Sequence, residues 1–239
     1  MRFENKCAIV TGAGRGIGHA VALIFAREGA QLVAADINGE SLTELEKELK
    51  AIGGEYRLAV CDISDEEAAR RLGREAIEAF GKVDILVNNA GIYRDQLMPF
   101  VEQSSQLWRR KMEINVLGMM YLTQEVLPQM IERRYGKIVN IASVAGVYGL
   151  RNMVDYSATK GAQIAFSQAL AKEVGPYEIN VNAVSPGNIN TYAESPQLSY
   201  FGRSGTSEEC AEVIAFLASD AAHYVSGQNY VVDGCRKTL

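Results

Sequence analysis

Short apolar runs rich in β-branched residues alternate with longer amphipathic stretches along the whole of this 239-residue chain. Runs of roughly four to eight such residues are typical of β-strands, whereas apolar positions recurring every three to four residues are typical of helices. The pattern predicts seven strands, at residues 7–10, 31–35, 57–60, 83–87, 137–141, 179–184 and 229–232. Helices are predicted between them.

The predicted strands carry apolar residues at almost every position, as in the Cys-Ala-Ile-Val run at residues 7–10. Strands without polar alternation are typical of a parallel sheet covered by helices on both faces. The sequence therefore predicts an α/β fold with a doubly wound parallel β-sheet of seven strands in three α/β/α layers. No linker or repeat interrupts the alternation, so residues 1–239 are expected to form a single domain.

Local signals predict several helix boundaries. Residues 41–44, Ser-Leu-Thr-Glu, have the form of a capping box, and residues 62–66 are expected to open another helix. Gly53 and Gly81 are expected to follow helix ends. Residues 191–206 form the one long loop that the sequence predicts before the last helix.

The composition excludes several classes of protein. Charged residues make up 22% of the chain and hydrophobic residues 48%, as in an ordinary globular protein. The formal net charge is -5 and basic runs are short, which disfavours a nucleic-acid interface. No apolar run reaches membrane-spanning length and no signal peptide is evident. The four cysteines show no metal-ligand spacing, so we expect no metal site, no disulfide framework and a cytoplasmic location.

A glycine-rich turn follows the first predicted strand, at residues 11–18, Thr-Gly-Ala-Gly-Arg-Gly-Ile-Gly. Glycines allow the backbone to approach a pyrophosphate, and the N terminus of the following helix favours an anion. The G-x-G-x-x-G pattern is not met, because Ile17 stands at its last position. We expect a dinucleotide phosphate site here, and a plain glycine-rich turn is the alternative.

Asp36 ends the second predicted strand, where a carboxylate would meet the adenosine ribose of a dinucleotide. It would accept hydrogen bonds from both ribose hydroxyls and would repel the 2′-phosphate of NADP(H). The sequence therefore predicts NAD(H) in preference to NADP(H), although Arg15 nearby would soften the discrimination. The alternative is that Asp36 caps the helix that follows.

Further motifs follow the later strands: Asn-Asn-Ala-Gly at residues 88–91, Ser143, Tyr156 with Lys160 four residues on, and Pro-Gly at residues 186–187. Together with the glycine turn, this series resembles the short-chain dehydrogenase/reductase family over nearly the whole chain. Each motif is only moderately specific, but chance agreement of all of them in the family's order is not expected. The resemblance implies a Rossmann-fold, NAD(P)-dependent oxidoreductase acting on CH-OH donors.

The resemblance also implies roles for single residues. Four side chains are expected to form a catalytic tetrad, namely Asn115, Ser143, Tyr156 and Lys160. The cofactor is expected to contact Tyr156, Lys160 and a longer set at the strand ends: Gly12, Arg15, Gly16, Ile17, Gly18, Asp36, Ile37, Asp62, Ile63, Asn89, Ala90, Gly91, Pro186, Gly187, Ile189 and Thr191. The substrate is expected to contact Tyr93, Ser143, Ala145, Tyr148, Met153 and Tyr192.

Tyr156 and Lys160 are four residues apart, which on a helix places both side chains on one face. A tyrosine hydroxyl has an ordinary pKa of about 10, so it needs a nearby positive charge to act as a general acid or base near neutral pH. In the family's mechanism Lys160 supplies that charge, Ser143 bonds the substrate oxygen, and Asn115 pairs with a water. Taken singly, Tyr156 and Lys160 would equally be a chance pair on one helix face. Ser143 would equally be a residue that caps a loop, and Asn115 a polar helix residue whose hydrogen bonds are satisfied within the fold.

Two features depart from the family pattern. Family members commonly have a substrate loop, often with two short helices, between Pro-Gly and the last helix, and residues 192–206 are shorter than that loop. The short loop implies a site that is open, accepts bulky substrates or is closed by a neighbouring subunit. Cys235 replaces the second glycine of the family's Val-Asp-Gly-Gly, where we expect a small buried residue beside a subunit contact.

We therefore predict an oxidoreductase that transfers a hydride between NAD(H) and a secondary alcohol or ketone of a small polyol, diol or hydroxysteroid type. The alternative is a 3-oxoacyl-(acyl-carrier-protein) reductase, which by family analogy usually favours NADPH. Arg133, Arg134 and Lys137 would offer its carrier protein a partial basic patch. A non-catalytic NAD-binding scaffold on the same fold is the third hypothesis.

The resemblance suggests a homotetramer, or a dimer, with helices around residues 116–130 and 156–174 paired between subunits. An apolar face on the first helix would suit such a contact and would equally suit internal packing. Its members are Leu117, Met120, Tyr121, Val126 and Leu127.

Overall fold

A computed structural model describes residues 1–93, 97–190 and 198–237. The strands of these residues are β1 (Cys7–Thr11), β2 (Gln31–Asp36), β3 (Tyr56–Val60), β4 (Ile85–Asn88), β5 (Gly136–Ile141), β6 (Ile179–Pro186) and β7 (Asn229–Val232). They form one parallel sheet in the order β3-β2-β1-β4-β5-β6-β7. The strand order reverses between β1 and β4, so the predicted doubly wound parallel sheet is confirmed.

Helices connect the strands on both faces of the sheet. They are α1 (Gly16–Arg27), α2 (Gly39–Ile52), α3 (Glu66–Phe80), α4 (Ser105–Met112), α5 (Met119–Arg133), α6 (Val144–Tyr148), α7 (Val154–Val174) and α8 (Ser207–Ala218). A π-helical stretch, Glu113–Gly118, joins α4 to α5. Gly53 and Gly81 end α2 and α3, as predicted. In the part of the chain that the structure describes, no helix has the length and apolar character needed to cross a membrane.

The core consists of two apolar layers, one on each face of the sheet. Successive residues of a strand point to opposite faces. Ala8 and Val10 of β1 therefore pack with α1, α2 and α8, whereas Cys7 and Ile9 pack with α3, α5 and α7. Burial on both faces explains why the strands lack polar alternation.

The capping box predicted at residues 41–44 is wrong. α2 begins before it, at Gly39, because the Asn38 side chain caps the helix and accepts a hydrogen bond from the Ser41 backbone N–H at 3.1 Å. A local pattern that fits a cap was outcompeted by a cap residue three positions earlier.

A capping box is present instead at the start of α8. Thr206 Oγ1 accepts a hydrogen bond from the Glu209 N–H at 3.1 Å, and the Glu209 carboxylate accepts one from the Thr206 N–H at 2.9 Å. This box ends the long loop predicted at residues 191–206. Residues 191–197 of that loop lie outside the described residues. Residues 198–201 pair with the C-terminal tail, and Gly205 pairs with Ile189 after β6.

Candidate active site

A cavity of about 650 Å³ opens at the carboxyl ends of the parallel strands. In open α/β sheets ligands bind in this crevice, next to the point at which the strand order reverses. Its wall includes these residues predicted to bind the cofactor: Gly12, Arg15, Gly16, Ile17, Asp36, Ile37, Asp62, Ile63, Asn89, Ala90, Gly91, Tyr156, Lys160, Pro186, Gly187 and Ile189. Thr191 lies outside the described residues. Within the described ranges, no group of three or more His, Cys, Asp or Glu side chains could hold a metal ion.

The turn between β1 and α1 fits a dinucleotide pyrophosphate. Gly12 and Gly16 have φ values of +63° and +59°, in the left-handed region that favours glycine. A Cβ atom on Gly12 would lie 2.8 Å from Asn89 Nδ2, so the turn has no room for a side chain. The N-cap residue of α1, Arg15, makes no side-chain cap hydrogen bond, which leaves the first N–H groups of the helix available to an anion.

Gly18 does not line the cavity, although it was grouped with the pyrophosphate-binding residues. It is buried, and a Cβ atom there would overlap the carbonyl oxygen of Gly12.

Asn89 Nδ2 donates to the carbonyl oxygens of Thr11 and Gly12, each at 3.0 Å. The N–H groups of Asn89 and Ala90 both donate to Thr11 Oγ1 at 3.0 Å. The Asn-Asn-Ala-Gly motif therefore holds the glycine turn against the end of β4.

Asp36 presents a fixed carboxylate on the cavity wall at the end of β2. Its Oδ2 accepts a hydrogen bond from the Gly14 N–H and its Oδ1 accepts one from the Asn38 N–H, each at 2.9 Å. Because Asn38 caps α2, the alternative in which Asp36 is the N-cap residue is wrong. A carboxylate held in this way suits the hydroxyl groups of a ribose and is repulsive to a phosphate.

Tyr156 and Lys160 lie on the same face of α7 and both line the cavity, as their spacing predicts. The Nζ atom of Lys160 is 5.7 Å from the centroid of the Tyr156 ring. Nζ donates to the carbonyl oxygen of Ile141 at 2.6 Å and to Gln163 Oε1 at 2.8 Å. Burial lowers the pKa of Lys160 to about 7, because the charged form is removed from water.

Ser143 follows β5 and lines the cavity at the start of α6. Its Oγ accepts a hydrogen bond from the Ala145 N–H at 3.1 Å, so Ser143 caps α6. This bond uses the oxygen as an acceptor and leaves the hydroxyl hydrogen for another partner. The capping role and a role toward a substrate oxygen are therefore compatible.

Asn115 is fully buried in the π-helical stretch and does not line the cavity. Its Nδ2 donates to the carbonyl oxygen of Ile92 at 2.9 Å and to Thr159 Oγ1 at 3.1 Å, and its Oδ1 accepts from the Ile92 N–H at 2.9 Å. Gln163 Nε2 donates to the Asn115 carbonyl oxygen at 2.7 Å. Gln163 thus connects Asn115 to Lys160, a link that the sequence analysis did not identify although the residue lies one helical turn after Lys160.

The predicted substrate residues divide into two groups. Tyr93, Ser143 and Met153 line the cavity. Ala145 and Tyr148 do not, because α6 buries the first in the core and leaves the second 55% exposed to solvent; their contact with the substrate stays a prediction. Tyr192 lies outside the described residues.

Several residues of the cavity wall were not identified from the sequence. Leu150, Asn188, Leu198 and Arg236 belong to this set. Loops far apart in the chain bring them together, so no local motif marks them.

The partial basic patch predicted for a carrier protein is not available beside the cavity. Arg133 binds the Asp84 carboxylate at 2.6 Å and Arg134 binds that of Glu178 at 3.4 Å, while Lys137 is 1% exposed. These residues surround the amino end of β5, and the cavity lies at the opposite, carboxyl ends of the strands. The predicted position of the patch beside the site is wrong, because these residues lie at the end of α5 and the start of β5, away from the cavity.

Similarity to known proteins agrees with this geometry. A profile of the family described as short chain dehydrogenase matches residues 6–199. The chain is 40% identical to the 3-oxoacyl-(acyl-carrier-protein) reductase FabG of Thermotoga maritima, over 98% of both chains. It is 36% identical to the cyclohexanol dehydrogenase of an Acinetobacter species, over 98% of this chain and 95% of that one. The chain therefore belongs to the short-chain dehydrogenase family.

Solved structures of two oxidoreductases have the same fold. A crystal structure of levodione reductase is 31% identical with a TM-score of 0.93, covering 98% of each chain. The NAD+-bound structure of a xylitol dehydrogenase is 34% identical with a TM-score of 0.91, covering 97% of this chain and 99% of that one. The names of these relatives refer to substrates that range from an oxoacyl thioester to a polyol, so the family alone does not define the substrate.

The buried Lys160 is expected to make the free energy of unfolding depend on pH. Its native pKa of about 7 lies below the ordinary value of 10.5, so between these values the unfolded chain binds more protons than the native protein. The Lys160 contribution to stability therefore rises with pH across this window, by on the order of 1 kcal/mol per pH unit. Lys160→Met lacks this contribution, so its free energy of unfolding relative to wild type should fall as pH rises from 7 to 10.

Urea unfolding at several pH values in that range measures the effect. Lys172→Met, which removes an exposed lysine from the same helix, is the matched control and should show no pH-dependent difference. A difference between Lys160→Met and wild type that stays constant from pH 7 to 10 would contradict the prediction.

Proposed function

We propose that this protein transfers a hydride between NAD(H) and the secondary alcohol or ketone carbon of a small organic substrate, of the polyol, diol or hydroxysteroid type. The observation that carries the proposal is one cavity whose wall holds Ser143, Tyr156 and Lys160 together with the fixed carboxylate of Asp36. Residues 1–239 are proposed to act as one NAD(P)-binding unit. The proposed location is the cytoplasm, which agrees with the unpaired cysteines of the described residues.

The nicotinamide cofactor, when bound, supplies or accepts the hydride. In the reductive direction the Tyr156 hydroxyl is proposed to donate a proton to the substrate oxygen, and in oxidation to remove it. The Ser143 hydroxyl hydrogen, which is not used in capping α6, is directed to the same oxygen as negative charge develops there. These two donors explain how the chain would stabilise the charged transition state.

Lys160 is proposed to favour the ionised form of Tyr156 by its positive charge. An ammonium group has three hydrogens, and the bonds to Ile141 and Gln163 use two of them. The third remains for the side of the cavity that Tyr156 shares. Gln163 and Asn115 hold the ammonium in place, and Asn115 acts as a positioning residue in this proposal.

Cofactor preference provides the first test. Asp36→Ser removes the carboxylate that would bind the ribose hydroxyls and repel a 2′-phosphate, so the ratio of kcat/KM with NADH to that with NADPH should fall roughly 10- to 100-fold. Steady-state kinetics with both cofactors measures this ratio. Glu40→Gln, which removes an exposed carboxylate near the start of α2, is the control and should leave the ratio unchanged. Wild-type preference for NADPH would contradict the role of Asp36.

The second candidate, a 3-oxoacyl-(acyl-carrier-protein) reductase, is favoured by the 40% identity to a protein of that name. The carboxylate of Asp36 and the paired state of Arg133 and Arg134 speak against it. NADH and NADPH absorbance assays over alcohols, polyols, steroids and an oxoacyl thioester discriminate the two. NAD binding in a thermal-shift assay without turnover of any of these compounds would instead favour the scaffold hypothesis.

We also propose that the protein assembles as a homotetramer or a dimer. Leu117, in the π-helical stretch before α5, is 36% exposed, and Met120, in α5, is 39% exposed. Their apolar surface is available for a subunit contact. Val126 is fully buried within the chain, so the predicted apolar face only partly faces outward. The proposed partners are therefore a small-molecule substrate and further copies of the chain, with no nucleic acid and no membrane.

A further inference from the structure

The C-terminal tail after β7 is held against the chain segment that precedes α8. Main-chain hydrogen bonds of 2.9 and 3.1 Å and an antiparallel bridge join residues 198–200 to residues 235–237. Cys235 has a φ of +57°, in the left-handed region, and it is exposed instead of buried as the sequence analysis expected. On the other side, the Gly187 N–H donates to the Val232 carbonyl oxygen at 2.9 Å. The end of β6 thus fixes the start of the tail at Val232, and residues 198–200 hold residues 235–237 of the tail.

This tail brings Arg236 to the cavity wall. The tail follows β7, which lies five strands away from β2 and Asp36 in the sheet order. Neighbouring strands are about 4.8 Å apart, so the two ends of the crevice are separated by roughly 24 Å. Ser143 follows β5, which lies two strands from β7 and three from β2. Arg236 therefore lies at the end of the cavity where the substrate is proposed to react, and not at the end of Asp36.

No acidic side chain among the described residues forms an ion pair with Arg236. Elsewhere on the wall, Arg110 binds the Asp62 carboxylate at 3.2 Å, and Lys160 donates to two acceptors. The guanidinium of Arg236 forms no ion pair or side-chain hydrogen bond with the residues that the structure describes, and it is half-buried. A partly desolvated guanidinium without a partner favours an anion, and its planar geometry matches a carboxylate or a phosphate.

We propose that Arg236 determines substrate specificity by binding an anionic group, a carboxylate or a phosphate, on the alcohol or ketone that reacts at Tyr156. The inference rests on the hydride transfer of the proposed function and replaces its neutral substrate by an anionic one. The substrate carries an anion in addition to the reacting carbon, as an oxo acid or a ketose phosphate does. Leu198 precedes Ser199, the residue that pairs with Arg236, and it adds an apolar side chain to the cavity wall beside the charged group.

Binding measurements test this inference without reliance on turnover. The protein saturated with NADH is titrated calorimetrically with two probe pairs: 4-oxopentanoate against its methyl ester, and dihydroxyacetone phosphate against dihydroxyacetone. In the wild type, one anionic probe should bind about tenfold or more tightly than its neutral partner, as expected for charge-assisted hydrogen bonds. The pair that shows this preference distinguishes a carboxylate from a phosphate.

Arg236→Gln should remove the preference and leave the affinity for NADH unchanged. Lys237→Gln is the matched control, since Lys237 is the next residue of the tail, lies 5.5 Å from the Tyr200 ring and is not on the cavity wall. It should retain the preference. Equal binding of anionic and neutral probes, failure of both anions to bind, or a preference that survives in Arg236→Gln would overturn the inference. So would a loss of NADH affinity in that variant, because Arg236 would then bind the cofactor.

Activity assays on the same proteins separate this inference from the function on which it rests. Anion binding that depends on Arg236, without turnover of any alcohol or ketone, would support the anion site and reject the proposed function. Turnover of neutral alcohols by wild type and Arg236→Gln alike, with no anion preference, would support the function and reject the anion site.

Discussion

Replacement of Tyr156 by phenylalanine is expected to lower kcat by about 10²- to 10⁴-fold, because the proton donor is lost while the ring is kept. The ring is 9% exposed and lies 5.7 Å from that of Tyr93, and phenylalanine fills almost the same volume. The fold and the affinity for NADH should therefore remain as in the wild type. The loss should affect kcat and kcat/KM equally, as expected when an interaction is made only in the transition state.

Single-turnover measurements of NADH absorbance and a titration of NADH fluorescence provide the two readouts. Tyr177→Phe, which removes a hydroxyl from a partly exposed tyrosine outside the cavity, is the control and should leave kcat unchanged. Substantial residual kcat in Tyr156→Phe would show that another group moves the proton.

Loss of either charge of the pair formed by Lys111 and Asp155 is expected to destabilise the protein by about 3–5 kcal/mol. The side chains are only 4% and 3% exposed, and Lys111 Nζ lies 2.5 Å from Asp155 Oδ2. Asp155 Oδ1 also accepts a hydrogen bond from the Tyr156 N–H at 2.8 Å. Lys111→Met or Asp155→Asn would leave an uncompensated charge in the interior between α4 and α7. The double variant should be destabilised by much less than the sum of the two single changes.

Urea unfolding of the two single variants and the double variant gives the coupling energy. The exposed pair of Lys47 and Glu44, with an Nζ–Oε1 distance of 2.7 Å and side chains 67% and 70% exposed, is the control. Its removal should cost less than about 1 kcal/mol, because water screens exposed charges. A loss below about 1 kcal/mol in Asp155→Asn would show that the buried pair does not depend on both charges.

The fold follows from local patterns that the sequence displays directly. Strand burial on both faces requires apolar residues at consecutive positions, and the chain shows this most clearly at β1, β2 and β4. The edge strands β3 and β7 contain no fully buried residue. The left-handed backbone at Gly12 and Gly16 requires glycine, so the turn is also visible in the sequence. The shared face of Tyr156 and Lys160 follows from helical periodicity alone.

Errors arose where competing local signals had similar strength. Asn38 won the cap of α2 over the pattern at residues 41–44, because both present a suitable side-chain acceptor and only the three-dimensional path of the chain selects one. The sequence also did not show that Ala145 and Tyr148, which follow a family motif, lie off the cavity wall.

The sequence by itself determined the parallel sheet, the glycine turn and the helical spacing of Tyr156 and Lys160, because these depend on residues close together in the chain. Only the tertiary structure decided which charges are paired, as for Arg133 and for the buried pair of Lys111 and Asp155. It also decided that Arg236, far along the chain, reaches the same cavity as Tyr156. Such contacts join distant segments, and their geometry depends on how the helices and the tail pack on the sheet.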